Sequence, residues 1–251
     1  MRWKYRILII SLAIAFIGSG SYLVSYLFSV QKTSSEMKRL VSVKEESKLL
    51  SVVNKKKTAM LDFTTLKEKN EHIAGWIEIK NTTRDYPIMQ TPLDEQYYLY
   101  RNFEKKYDIN GLPFMNKSGN FSDEKSNIII YGHNMKSGLM FAGLLNYTEE
   151  EYYKQHPDIQ IYSLEEKMDY KVCAAFHIAA DKNNKFMFQE YQGHMEEEEY
   201  NNYVEEIKKR RLYDTEVTPH YGNALLTLVT CSYNTKNERF VVVATRTGRE
   251  E

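Results

Sequence analysis

Cysteine is nearly missing from this chain: Cys173 and Cys231 are the only two in 251 residues. That excludes a multiply disulfide-stapled scaffold and a cysteine-rich zinc module. No HExxH or CxxC occurs, so neither a metal nor a cofactor is expected. An excess of either charge is missing too. Lysine plus arginine and aspartate plus glutamate each number 34, so no net field draws the protein to nucleic acid, and no such partner is expected. Proline is scarce at five residues, and there is no internal repeat, low-complexity tract or Gly/Ser linker. Against these absences stand twenty tyrosines and eleven phenylalanines, which favour a packed, strand-containing fold. The length suits one folded domain with accessories.

One long apolar run is present. Residues 7–28 (ILIISLAIAFIGSGSYLVSYLF) carry no charge, and as a helix they cover about 30 Å, the thickness of a bilayer's hydrocarbon. The run is longer than a signal-peptide core and no A-x-A site follows it, so a membrane anchor is the reading over a cleaved signal. Arg2, Lys4 and Arg6 precede it and favour a cytoplasmic start with the rest of the chain outside, although Lys32, Lys38, Arg39 and Lys44 follow. Residues 36–58 mix Leu40, Val41, Leu49, Leu50, Val52 and Val53 with lysines and glutamates, a partly amphipathic helix that serves as a stalk or lies on the domain. The expected division is 1–30 for the cytoplasmic stub and transmembrane anchor, 31–60 for the helical stalk, and 61–251 for an extracellular folded domain.

Beyond residue 60 the pattern changes. Asp62 can cap a short helix through Asn70, and strand-like stretches then follow at 75–79, 86–90, 111–116, 127–131, 159–164, 170–179, 224–231 and 239–246. Eight short strands with helices confined to inserts predict a mainly β fold, an antiparallel-rich barrel or sandwich. The clearest insert is residues 195–212, with glutamates first and Lys208, Lys209, Arg210 and Arg211 last, as a helix dipole favours. Tyr203, Val204, Ile207 and Tyr200 are its inward-facing residues.

Chemistry concentrates in the last two strands. Thr227, Val229 and Cys231 share one face of ALLTLVTC, and Arg239, Val241, Val243 and Thr245 share one face of RFVVVATR. If the seven residues between Cys231 and Arg239 close a hairpin, the two side chains become cross-strand neighbours. An arginine beside a sulfur favours the thiolate and can donate to an oxygen that gains charge. His133 ends the strand NIIIYGH, where Gly132 permits a change of direction; His177 lies in an apolar strand and reads as a core imidazole. Cys173, in YKVCAAFHIA, reads as a buried structural thiol.

With IIIYGHNMKSGLMF around His133, TLVTC at Cys231 and Arg239 eight residues later, residues 60–246 resemble a class B sortase. The resemblance extends to the N-terminal anchor and to a long helix between the sixth and seventh strands. It implies an eight-stranded closed barrel with N-terminal helices, and a cysteine transpeptidase of Gram-positive bacteria in which Cys231 is nucleophile, His133 acid/base and Arg239 the oxyanion or positioning residue. It further implies secreted proteins bearing a C-terminal sorting motif of NPxTx or LPxTG-like type as substrates, cleavage after threonine through a thioester, and a peptidoglycan amine as acceptor. Cargo in the family ranges from iron or haem uptake proteins to pilins. By family position Leu99, Val229 and Ser232 touch substrate. Papain-like enzymes reverse the His-then-Cys order, and the caspase QACxG signature is missing. The non-enzymatic alternative is an anchored binding module stapled by a Cys173–Cys231 disulfide.

Overall fold

A computed structural model of the chain describes residues 2–53, 61–179, 186–232 and 237–248. Helix α1 (Arg2–Val53) opens it as one unbroken element. As far as residue 53, the separate stalk helix expected at 36–58 is therefore continuous with the apolar run, because residues 29–36 hold neither proline nor glycine to end a turn; residues 54–58 lie outside the described residues. The domain boundary expected near residue 60 lies outside the described residues. Helix α2 (Thr64–Lys69) follows, and Asp62 Oδ1 accepts the Thr64 backbone N–H at 2.9 Å, capping the helix from two residues before its start.

Nine strands are described: β1 (Ile73–Ile79), β2 (Asp85–Met89), β3 (Phe114–Met115), β4 (Ser126–Tyr131), β5 (Asp158–Ser163), β6 (Lys167–Ala179), β7 (Gly193–His194), β8 (Leu225–Cys231) and β9 (Glu238–Arg246). Their order is β3-β2-β1-β5-β6-β9-β8-β4, and β3 pairs with β4, so eight strands close a barrel. Each of the eight expected stretches supplies one of them; β7 is an added two-residue pairing on β4. The stretch expected at 111–116 shrinks to Phe114–Met115, because Gly111 turns at φ +56° and Pro113 brings no N–H to a ladder. Most pairings are antiparallel, but β4 runs parallel to β8 in the register Tyr131↔Val229, and β2 runs parallel to β3.

Alternation along the strands divides the apolar residues into two sets. Ile128, Ile130, Leu226, Leu228, Val242 and Ala244 fill the main core. Ile129, Leu225, Val229, Val241 and Val243 face outward, where they are covered lower down by helix α4 (Glu197–Arg210). The helix buries Tyr200, Tyr203, Val204 and Ile207, the inward face expected from its periodicity. Each such burial is worth about 2 kcal/mol. Its first turn holds Glu197, Glu198 and Glu199 and its last Lys208, Lys209 and Arg210, matched to the helix dipole.

The second half of α1 is part of this fold. Met37 and Leu40 join the main core, and the fully buried Lys44 Nζ pairs with Glu78 at 3.0 Å and with Asp85 at 2.5 Å. Trp76 donates its indole N–H to the same Asp85 carboxylate. Burial pushes the Glu78 carboxyl up, but Lys44 and Lys48 together hold it below its ordinary value. Removing the ammonium leaves Asp85 to the Trp76 N–H and Glu78 to Lys48 at 3.3 Å, with neither charge balanced as before, so Lys44→Ala is expected to destabilise the chain by about 3 kcal/mol. Denaturant unfolding of wild type and variant measures it, and an unchanged midpoint would refute it.

Candidate active site

The parallel pairing of β4 with β8 carries both strands to the same rim of the barrel. Their ladder continues past Tyr131↔Val229: Gly132 N–H donates to the Val229 carbonyl at 3.0 Å, and Thr230 Oγ1 donates to the Gly132 carbonyl at 2.8 Å. Two residues beyond each member of the Tyr131↔Val229 pair stand His133 and Cys231. Asn134 Nδ2 donates to the Cys231 carbonyl at 2.9 Å and ties the two strand ends together. Across the antiparallel ladder Cys231 is the direct partner of Arg239, as the hairpin reading expects. Side chains at such positions have Cβ atoms about 5 Å apart. Val229↔Val241 and Thr227↔Val243 continue the same face, so Cys231 and Arg239 lie on the outside of the barrel. There α4 covers the strands lower down and leaves their ends open.

A cleft of ≈480 Å³ occupies that end, and His133, Cys231 and Arg239 all line it. Leu99 and Val229 line it too, whereas Ser232 does not: it is buried, its Oγ donating to Glu238 Oε2 at 2.6 Å. Glu238 also meets His177 Nδ1 at 3.1 Å, so His177 is a half-buried, paired imidazole. Residues the sequence reading passed over complete the lining: Glu95, Gln96, Tyr100, Phe114, Tyr131 and Gln189. They come from the turn before β3, from β3 and β4, and from the segment leading to β7; only Tyr131, in the stretch ending at His133, lay near a recognised motif.

His133 is held from above. Its Nε2 lies 2.7 Å from the Leu99 carbonyl, and its ring lies 5.3 Å from that of Tyr100. A carbonyl only accepts, so Nε2 carries the hydrogen and the neutral ring keeps Nδ1 bare to take a proton. Burial pushes the imidazole below its ordinary value, and the Leu99 carbonyl offsets this in part. Gly132 acts through space rather than through backbone conformation, since it is not among the residues of positive φ. A Cβ there would lie 2.6 Å from Phe141 Cγ.

Cys173 differs in every respect. Only 3% exposed, it sits in β6 under α4, its thiol donates to the Val243 carbonyl at 3.3 Å, and burial pushes it up to about 12. Both cysteines are free. The Cys173–Cys231 disulfide of the binding-module alternative is thus not formed, because one sulfur is packed mid-strand and the other opens onto the cleft.

A family model described as Sortase domain matches residues 77–247. The chain belongs to the sortase family. Sortase B of Staphylococcus aureus (strain NCTC 8325 / PS 47) is 26% identical over 184 residues, 72% of this chain and 73% of that one. The X-ray structure of Clostridium perfringens sortase B superposes with a TM-score of 0.66 at 28% identity, covering 73% of this chain and 98% of that one. The Staphylococcus aureus sortase B–substrate complex shares the fold with a TM-score of 0.71 at 23% identity, covering 85% and 97%. This sortase is accordingly of class B and a cysteine transpeptidase. Among the described residues α1 is the one helix long and apolar enough to cross a membrane.

Proposed function

We propose that this sortase cleaves a C-terminal sorting motif of secreted proteins after its threonine and joins the new carboxyl end to an amine of peptidoglycan precursor. The observation that carries the reading is the cross-strand pair Cys231↔Arg239 opening onto the cleft that His133 also lines. The Cys231 thiolate attacks the threonine carbonyl carbon, and the oxygen that gains charge accepts from the Arg239 guanidinium. As the C–N bond breaks, protonated His133 gives its proton to the departing amine and leaves a thioester on Cys231. The incoming amine attacks that carbonyl, loses its proton to His133, and releases the thiolate. Leu99 and Val229 contact the substrate backbone or its apolar side chains along the cleft; Ser232 acts through its bond to Glu238.

The chain is a single-pass membrane protein in this reading, with Arg2, Lys4 and Arg6 inside and the barrel outside. Incubating it with NPxTx and LPxTG peptides and an amine, then weighing the products, tests the chemistry. Peptide cut after threonine and joined to the amine is the expected result; hydrolysis at other bonds, or no product from any peptide, would overturn it.

The lowered His133 value sets the acid side of the pH profile. Below it the ring is already protonated and has no bare Nδ1 to take the thiol proton, so the competent pair of thiolate and imidazolium does not form. The acid limb of kcat/KM is therefore expected below the ordinary imidazole value of 6.5. A limb centred above that value would contradict the burial described.

A further inference from the structure

We infer that the loop at 101–110 is a membrane-contacting surface, with Tyr107 and Ile109 set into the headgroup layer of the bilayer that holds α1. The inference rests on the anchored reading above and adds a second point of contact to it. The uncharged run of α1 ends at Phe28, and Thr33 lies five residues on, about 7.5 Å further along the axis. At that height the helix is fastened to the loop. Thr33 Oγ1 donates to Asp108 Oδ2 at 2.6 Å, and Asn110 Nδ2 donates to Thr33 Oγ1 at 2.9 Å and to Ser29 Oγ at 3.3 Å. One turn later Glu36 accepts from Asn102 Nδ2 and from the Phe103 N–H, both at 3.1 Å. Thr33, Asn102, Asp108 and Asn110 are buried, so the loop cannot rise along the helix without exposing these bonds.

Each headgroup layer is about 5–8 Å deep, the difference between the hydrocarbon and the full bilayer halved. Ser29 then lies within the layer and Thr33 at its outer edge, and the loop is pinned at both levels. On either side of Asp108 the loop exposes a tyrosine and an isoleucine: Tyr107 is 77% exposed and Ile109 40%. The neighbouring cations are already partnered, Lys105 with Glu71 at 2.7 Å and Lys106 with Glu104 at 2.8 Å. Apolar burial therefore drives the contact more than attraction to anionic lipid does, and an amphipathic ring is what a bilayer interface favours. The same loop carries one wall of the cleft, since the Asp108 N–H donates to the Tyr100 carbonyl at 3.0 Å and Tyr100 lines the cleft.

The test uses the full chain in phosphatidylcholine nanodiscs, in a Cys231→Ala background where buried Cys173 escapes labelling. An environment-sensitive fluorophore is placed by Tyr107→Cys, or by Ile109→Cys as a second variant. Phe16→Cys marks the span, and Thr65→Cys marks α2, which begins beside Ser47, about 28 Å beyond Phe28 along α1. With a nitroxide lipid label near the glycerol level, the Tyr107 and Ile109 probes are expected to lose about half their intensity or more, and the Thr65 probe less than about a tenth. Unquenched loop probes beside a quenched Phe16 probe overturn the loop contact alone. No quenching at Phe16 by a deep nitroxide overturns the anchor and the loop contact together. A blue shift at Tyr107 without quenching shows that another protein copy covers the loop, and equal quenching at Thr65 shows no defined surface; either result also overturns the inference.

Discussion

Replacing Cys231 with alanine is expected to abolish cleavage and transfer together, a loss of about 10⁴-fold or more, while the fold persists. The sulfur is the only nucleophile proposed in the cleft, and its removal deletes one atom from a half-exposed strand end rather than from the packed interior. Cys173→Ala is the informative contrast. It empties a small buried site under α4, so its effect belongs to stability, about 1 kcal/mol, with turnover largely retained. Peptide turnover and thermal melting of both variants separate the two roles. A folded, inactive Cys173 variant beside an active Cys231 variant would reverse the assignment.

Alanine at His133 or Arg239 is expected to lower turnover by at least about 10²-fold, the usual scale for a positioned acid/base or an oxyanion donor. The two losses differ in kind. Without His133 the acid limb of the pH profile should move away from the histidine's position, because the group that sets it there has gone; without Arg239 the limb should stay in place at a lower plateau. Arg239→Lys should recover only part of the rate, since an ammonium keeps the charge but not the fork of donors. Near-normal turnover in either alanine variant would remove that residue from the mechanism.

The barrel's eight strands and α4 were legible because their signals are local: period-two alternation, and a helix face marked by Tyr200, Tyr203, Val204 and Ile207. The Cys231↔Arg239 pairing was legible for the same reason, a short connection fixing register between adjacent strands. What brings His133 to them was not. It depends on β4 lying parallel to β8, a pairing across about a hundred residues that no local pattern encodes, and only family likeness joined the two ends beforehand. The Leu99 carbonyl under Nε2 of His133 is a backbone contact, and backbone atoms leave no mark in residue type. The single α1 was misread as two helices because its surroundings change at Phe28 while its backbone does not.

With α1 as the anchor proposed above, the unbroken helix also decides how the enzyme searches. A flexible tether would let the cleft sweep a hemisphere; a rigid post bound to its domain by Thr33, Glu36 and Lys44 confines it to one altitude. Encounter with a substrate held at the same membrane would then become two-dimensional. Peptides displayed at the height of the cleft meet it at high effective concentration, and those held a few tens of ångströms above or below meet it hardly at all.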